Sequence, residues 1–193
     1  MLILKKTIDY FGSTVLVIVL SPFLLLIAIL IKCESKGPIF FRQNRLGYKG
    51  ETFKIFKFRT MQQGTEKAGT GIFTNENDPR ITKIGKFLRK TSLDELPQLL
   101  NILKGEMSFI GPRPPVPYHP YNYEDYTTKQ KKRFLVKPGI TGLAQITGRN
   151  NLSWDERIEY DVKYVDNLSF KEDIRIVLKT IQSVVFKENI YRG

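Results

Sequence analysis

The longest apolar segment of the chain covers residues 10–31 and contains no charged residue. Its 22 residues are enough to cross a bilayer as a helix. Proline removes one helical hydrogen bond and clashes with the preceding turn, so Ser21-Pro22 predicts a sharp kink in the middle of this helix. The segment lacks a small-residue cleavage site and is followed directly by Lys32, which argues against a cleaved signal peptide.

The topology of this segment has two interpretations. Lys5 and Lys6 precede it and further basic residues follow it, so the positive-inside rule assigns no orientation to a single span. A kinked transmembrane helix fits the pattern, because membranes tolerate proline when nearby groups satisfy the freed backbone. A hairpin that turns at Ser21-Pro22 and returns to its own face of the membrane fits equally well.

The pattern after residue 36 is mixed, with short strands and amphipathic helices. Residues 38–45 and 52–60, separated by a Gly-containing loop, predict a β-hairpin. Residues 81–90 predict a basic amphipathic helix, which can lie in a membrane interface or cover a soluble core. Further elements are expected at residues 93–103 (helix), 107–110 (strand), 153–165 (helix with a Ser-x-x-Glu capping box) and 174–186 (helix). The pattern therefore predicts an α+β, helix-dominated fold.

Composition and charge limit the function. A chain of 193 residues suggests one domain with a substantial core. Lys and Arg number 31 against 19 Asp and Glu, and the net charge of +12 indicates an anionic partner: nucleic acid, a phosphorylated small molecule or an acidic lipid surface. One cysteine excludes an internal disulfide, and no partner set for a histidine-based triad is present. The absence of a Walker loop and of a Gly-x-Gly-x-x-Gly fingerprint excludes further enzyme classes.

The candidate chemistry lies at Asp94-Glu95, at the start of the helix predicted for residues 93–103. Basic residues flank the two acids on both sides. A carboxylate pair among lysines and arginines suits a phosphorylated substrate and its divalent cation. Ser92-x-x-Glu95 is also a capping-box pattern, in which each acid would only stabilise a helix start, by ~0.3–1 kcal/mol. Pro97 leaves the position of the N-cap ambiguous, so both interpretations stay open.

The chain resembles the small monotopic phosphoglycosyl transferases, bacterial sugar transferases that begin glycan assembly on a lipid carrier. The resemblance extends nearly from end to end and depends on several short segments in the same order. The matching segments are Ser21-Pro22, 56–61 (FKFRTM), 92–98 (SLDELPQ), 111–114 (GPRP), 137–142 (KPGITG), and Tyr160-Asp161 with Tyr164. Each segment alone is a weak signal, whereas the ordered set is highly specific.

The resemblance implies transfer of a phosphosugar from a UDP-sugar to a polyprenyl phosphate such as undecaprenyl phosphate, with UMP as the second product. It implies residues 1–36 as a re-entrant membrane helix kinked at Ser21-Pro22 and residues 37–193 as a catalytic domain carrying several interfacial amphipathic helices. The protein would lie at the cytoplasmic face of the bacterial plasma membrane, in contact with phospholipid. Nucleic acid is not expected as a partner.

The resemblance also assigns site residues. Asp94 is expected to be the nucleophile that attacks the β-phosphate, and Glu95 is expected to bind Mg²⁺. The residues expected to contact substrate phosphates or the nucleotide are Arg89, Arg113, Lys57, Arg59, Arg149 and Asp161. Lys5 and Lys6 are expected to contact lipid headgroups. The sugar, the polyprenol length, the pathway and the oligomeric state (a dimer is one option) stay open.

Overall fold

A computed structural model describes residues 2–65, 78–148 and 151–185. The α-helices are α1 (Leu2–Glu34), α2 (Lys83–Lys90), α3 (Leu99–Leu103), α4 (Thr128–Lys131), α5 (Leu143–Thr147), α6 (Trp154–Asp166) and α7 (Phe170–Val185). The strands are β1 (Phe40–Leu46), β2 (Thr52–Phe58), β3 (Ser108–Ile110) and β4 (Gly139–Thr141). Short 3₁₀ helices connect them at Tyr48–Gly50, Leu93–Gln98, Tyr123–Asp125 and Lys132–Phe134. The predicted helix-dominated α+β fold is confirmed.

Helix α1 continues through Pro22 as one element. Pro22 cannot donate to the Ile18 carbonyl, and the Ser21 hydroxyl donates to that carbonyl instead, at 2.8 Å. One stripe of α1 packs against the rest of the chain, while its other faces expose apolar side chains. The exposed set includes Ile3, Phe11, Val15, Ile18, Val19, Leu25, Leu26 and Ile29. The helix is long and apolar enough to cross a membrane, and such exposure is typical of a surface that contacts lipid.

Both ends of α1 are fastened to the same globular part of the molecule. Near its start, Lys5 Nζ lies 2.7 Å from Asp173 Oδ2 of α7. At its last residue, the Glu34 carboxylate accepts hydrogen bonds from the backbone N–H groups of Lys83 and Ile84, at 2.7 and 3.0 Å. These two N–H groups open α2 and have no partner within that helix, so Glu34 completes its N-terminus. Helix α1 is therefore held at both ends.

The predicted hairpin is confirmed as an antiparallel pair of β1 and β2, in register from Phe40 opposite Phe58 to Leu46 opposite Thr52. Strands β3 and β4 form a separate parallel pair. An apolar cluster joins β2 to α3, and its buried members are Ile55, Leu99, Ile102 and Met107. Asn101 of α3 is fully buried and accepts a hydrogen bond from Phe56 N at 2.9 Å. These contacts fix the segment before α3 against β2.

The helix predicted for residues 93–103 has two parts. It begins as the 3₁₀ helix Leu93–Gln98, which contains Pro97, and continues as α3. It ends at Leu103, as predicted, two residues before Gly105, whose φ of +76° suits glycine. The capping box of α6 is also confirmed, because Ser153 and Glu156 exchange side-chain and backbone hydrogen bonds. Helix α7 begins four residues earlier than predicted, after Ser169, whose hydroxyl accepts from Glu172 N at 3.2 Å.

Candidate active site

Asp94 and Glu95 lie in the first turn of the 3₁₀ helix Leu93–Gln98. The chain enters this turn through Ser92, whose left-handed backbone (φ 57°, ψ 16°) is uncommon for a residue with a side chain. The Ser92 side chain makes no capping hydrogen bond, and the Glu95 carboxylate is directed towards cations instead. The capping-box interpretation is therefore wrong, and both acids are partly buried beside cations.

Glu95 is neutralised by two cations from distant parts of the chain. Its Oε1 accepts a hydrogen bond from Lys57 Nζ of β2 at 2.6 Å and another from Arg113 Nη2 at 3.0 Å. Burial of Glu95 opposes its ionisation, but the positive charges of Arg113 and Lys57 outweigh burial and hold its pKa well below the ordinary value. Glu95 is therefore an anion throughout the physiological pH range.

Asp94 is in a different electrostatic state. Among the described residues, no side chain or backbone group forms a hydrogen bond or an ion pair with its half-buried carboxylate. Burial raises the pKa of Asp94, the charge of Lys57 opposes this rise, and the neighbouring Glu95 adds to it. Asp94 is therefore a partner-free carboxylate that is more basic than an exposed aspartate, and it lies beside cations. This combination suits a nucleophile that attacks an anionic electrophile.

Arg89 lies in the last turn of α2, near enough for its charge to act on Asp94. Its Nε donates a hydrogen bond to Thr60 Oγ1 at 2.8 Å, just after the end of β2. Helix α2 approaches this segment closely because Gly85 has no side chain: a Cβ there would lie 2.1 Å from the Thr60 carbonyl oxygen. The charge of Arg89 acts to lower the pKa of Asp94. The structure thus brings together five of the residues expected at the site, namely Asp94, Glu95, Lys57, Arg89 and Arg113.

The loop that carries Arg113 is held through its carbonyl groups. Three of its residues are prolines, which have no N–H to donate, so only carbonyls and the Arg113 backbone can fasten it. Four successive carbonyls accept hydrogen bonds: Pro112 O from Gly139 N, Arg113 O from Arg133 Nη2 and Pro114 O from Arg45 Nη1 at 3.0 Å each, and Pro115 O from Leu46 N at 2.9 Å. The backbone of Arg113 is therefore rigidly placed.

Asp161 lies behind this loop rather than beside the acids. Its Oδ2 is 2.6 Å from Arg133 Nη2, and the two side chains are 2% and 1% exposed. Burial raises the pKa of Asp161 to about 6, although the charge of Arg133 opposes the rise. The same Arg133 nitrogen donates to Arg113 O. Asp161 therefore supports Arg113 through Arg133, a residue that the sequence analysis did not assign to the site.

Arg59 is directed towards the C-terminal end of α1 and not towards the acid pair. Its Nη2 donates hydrogen bonds to Ser35 O at 2.7 Å, Ser35 Oγ at 2.9 Å and Ile31 O at 3.4 Å. A buried guanidinium at this position satisfies carbonyls at the C-terminus of α1 and interacts favourably with the helix dipole. Its contacts are those of a residue that fastens α1 to β2.

The remaining predicted residues are more scattered. The Lys5 ammonium, expected at lipid headgroups, is used in the ion pair with Asp173 and in a hydrogen bond to Tyr164 Oη at 3.1 Å. Lys6 is exposed and accessible to a headgroup. Arg149 lies outside the described residues. Arg45 is a further cation near the acids, and the sequence analysis did not assign it to the site.

A Mg²⁺ ion fits the donors present only if the substrate completes its coordination. Within residues 2–65, 78–148 and 151–185, no three His, Cys, Asp or Glu side chains come close enough to hold a metal. Mg²⁺, however, is commonly held by one or two carboxylates together with substrate phosphates and water. Glu95 is ionised, and only its Oε1 accepts hydrogen bonds from described residues. Its second oxygen is therefore available to a metal that arrives with a phosphorylated substrate.

The sequence is similar to known bacterial sugar transferases along most of its length. Residues 1–187 match the family model described as bacterial sugar transferase. The chain is 44% identical over 176 residues to the galactosyl transferase CpsE of Streptococcus agalactiae, covering 86% of this chain and 38% of that protein. It is 42% identical over 169 residues to the Escherichia coli UDP-glucose:undecaprenyl-phosphate glucose-1-phosphate transferase, covering 84% and 36%. It is 43% identical over 166 residues to the uncharacterized sugar transferase EpsL of Bacillus subtilis, covering 86% and 79%. The chain thus spans little more than a third of the first two relatives and most of the third.

Proposed function

Because the chain belongs to the bacterial sugar transferase family, we propose that it transfers a phosphosugar from a UDP-sugar to a polyprenyl phosphate. The products are a polyprenyl-diphosphate sugar and UMP. Relatives named for UDP-glucose and undecaprenyl phosphate make these the first substrates to test. The observation that carries the proposal is the partner-free Asp94 carboxylate beside the ion-paired Glu95, among Lys57, Arg89 and Arg113.

In the first step, an oxygen of Asp94 attacks the β-phosphorus of the UDP-sugar. An acyl-phosphate bond forms, the bond from this phosphorus to the bridging oxygen breaks, and UMP leaves with the electron pair. The raised pKa of Asp94 makes its carboxylate more basic and therefore a better nucleophile than an exposed aspartate. Arg89 and Arg113 offset the negative charges that must approach each other, and guanidinium groups can bind phosphate in bidentate fashion.

In the second step, a phosphate oxygen of the polyprenyl phosphate attacks the same phosphorus. The acyl-phosphate bond breaks and the Asp94 carboxylate is restored. Two successive displacements at one phosphorus need only one nucleophilic residue, in keeping with the single partner-free carboxylate of the acid pair. Glu95 stays ionised throughout and would hold Mg²⁺, which when bound neutralises charge on the diphosphate.

Release of UMP tests this function directly. The full chain in detergent or nanodiscs is incubated with undecaprenyl phosphate and a panel of UDP-sugars, and UMP and lipid-extractable sugar are measured. We expect UMP and lipid product in equal amounts for at least one donor. A panel that yields no UMP with any donor refutes the proposed activity.

Glu95→Gln tests the assignment of the metal ligand. The substitution keeps the shape of the side chain but removes the charge that a divalent cation needs, so the Mg²⁺ concentration for half-maximal turnover should rise by roughly 10- to 100-fold. The measurement is a Mg²⁺ titration of UMP release. Glu124→Gln is the matched control, because the Glu124 side chain is 87% exposed. An unchanged midpoint in Glu95→Gln means that Glu95 only organises Lys57 and Arg113.

We also propose that α1 is re-entrant, bending at Ser21-Pro22 with both ends at the cytoplasmic face. The support is the anchoring of Lys5 by Asp173 and of Glu34 by the start of α2. A helix that crossed the bilayer would carry one end ~30 Å from a domain lying on the other face, and only one of the two contacts could form. Apolar faces of α1 beyond its packed stripe would then contact lipid.

Cysteine labelling tests this topology. Cys33 is exposed near the end of α1, and Lys6→Cys in a Cys33→Ser background reports on its start. A membrane-impermeant maleimide should label both positions in inside-out vesicles and neither in intact cells. Labelling in detergent is the control that both thiols react when accessible. A crossing helix gives labelling from opposite sides.

A further inference from the structure

Arg45, near the end of β1, is a cation without a carboxylate partner. Its Nη1 donates to Pro114 O at 3.0 Å and its Nη2 to Gln43 Oε1 at 2.6 Å. Its Nε is buried, and no described residue accepts a hydrogen bond from it. No described carboxylate lies within ion-pair distance of the guanidinium. The side chain is thus held in a defined place, and among the described residues no carboxylate forms an ion pair with its charge.

Several cations surround the acid pair. Among the described residues, Lys57 and Arg113 share one carboxylate, Glu95, and the charges of Arg89 and Arg45 also act on the pair. Burial, and then the charge of Arg113, lower the pKa of Arg45 to about 10, so it stays charged at neutral pH at a cost in free energy. An arriving polyanion would relieve this cost.

The position of Arg45 favours the soluble donor over the lipid acceptor. Phe40, at the start of β1, packs in the apolar cluster that contains Ile27 and Ile31 of α1. Arg45 lies five residues further along the strand, about 16 Å away at the usual rise per residue. The lipid phosphate would approach from the side of α1, whereas Arg45 lies at the other end of the hairpin from the contact of Phe40 with Ile27 and Ile31.

We propose that Arg45 is a positioning residue for the diphosphate of the sugar nucleotide. Its hydrogen bond to Pro114 O fixes the backbone next to Arg113 and so helps to position the Arg113 side chain. Its positive charge, which has no ion-pair partner among the described residues, strengthens binding of the diphosphate. Pro114 has no N–H of its own, so the hydrogen bond from Arg45 is the contact that fixes this point of the loop to β1. The inference rests on the proposed function and identifies which of the two substrates Arg45 serves.

Two substitutions separate charge from positioning. Arg45→Met removes both, and we expect UDP affinity to fall by ~10- to 100-fold, with the KM for the UDP-sugar rising by a similar factor. Arg45→Lys keeps the charge but cannot form both hydrogen bonds of the guanidinium, to Pro114 O and to Gln43 Oε1. UDP affinity should therefore change by less than ~3-fold while kcat falls ~10-fold or more. In both variants the KM for undecaprenyl phosphate should stay within ~2-fold of wild type, since the lipid contacts are untouched.

The measurements are calorimetric titration with UDP and with UMP, and steady-state kinetics with each substrate varied. UMP has one phosphate and should lose less affinity than UDP. Arg42→Met is the matched control: Arg42 lies on the same strand, is exposed, and contacts the Phe56 ring at 4.9 Å from its centroid. Thermal unfolding verifies that each variant is folded. If Arg45→Met does not fold, the comparison of Arg45→Lys with wild type and Arg42→Met still tests the proposal.

The outcomes are distinguishable. If both Arg45 variants match Arg42→Met in UDP affinity and kcat, the proposal is overturned. Equal rises in the KM values for donor and acceptor overturn the assignment to the donor. A wild-type chain that neither binds UDP nor releases UMP refutes the proposed function itself, and the inference with it.

Discussion

Asp94→Asn is expected to reduce turnover by roughly 10⁴-fold or more and to abolish UMP release when no acceptor lipid is present. The amide is close in shape to the carboxylate but cannot form the acyl phosphate, so the first displacement has no nucleophile. In the wild-type chain, a UDP-sugar alone should release one UMP per active site and leave a phosphosugar on the protein. Quenched-flow detection of UMP and mass spectrometry of the intact protein measure these two products.

The fold should survive this substitution, because no described residue depends on the Asp94 carboxylate for a hydrogen bond. Asp125→Asn, at an exposed aspartate in the loop before α4, is the control and should keep full activity. Equal unfolding midpoints of Asp94→Asn and wild type exclude a loss of structure. A phosphosugar adduct on Asp94→Asn, or near-normal turnover, would place the nucleophile elsewhere.

Asp161→Asn is expected to lower the free energy of unfolding by about 3–5 kcal/mol, because it leaves the Arg133 charge buried without a counter-ion. Arg133 is 1% exposed, and its Nε and Nη1 already lack acceptors among the described residues. The variant should also weaken the hydrogen bond from Arg133 Nη2 to Arg113 O, which is 3.0 Å long in the wild type. Denaturant unfolding of the full chain in detergent measures the loss.

Asp166→Asn is the control, because its pair with Lys132 is 45% exposed on both sides and should contribute less than ~1 kcal/mol. Equal stability of the two variants would mean that the buried pair contributes little.

Local patterns were sufficient for most of the secondary structure. The apolar run predicted α1, alternation and a glycine loop predicted the β1–β2 hairpin, and a Ser-x-x-Glu pattern predicted the start of α6. Each of these signals depends on residues a few positions apart, where helical or strand period and capping chemistry act directly. The ordered motifs also indicated the family and the acid pair.

The roles of individual charged residues depended on contacts between distant positions. The same Ser-x-x-Glu pattern is a true cap at Ser153 but not at Ser92, because Lys57 and Arg113 attract the Glu95 carboxylate. Arg59 was expected at the substrate and instead fastens α1.

Long-range packing also assigned the two arginines that hold the Arg113 loop. Arg45 contacts Pro114, which is 69 positions away in the sequence, and Arg133 contacts Asp161, which is 28 positions away. No local period encodes such pairs, since they form only when burial of apolar surface brings separate strands, loops and helices together. The sequence therefore predicted the elements, the acid pair and three of the cations near it, whereas the folded chain identified Arg45 and Arg133, which hold the Arg113 loop.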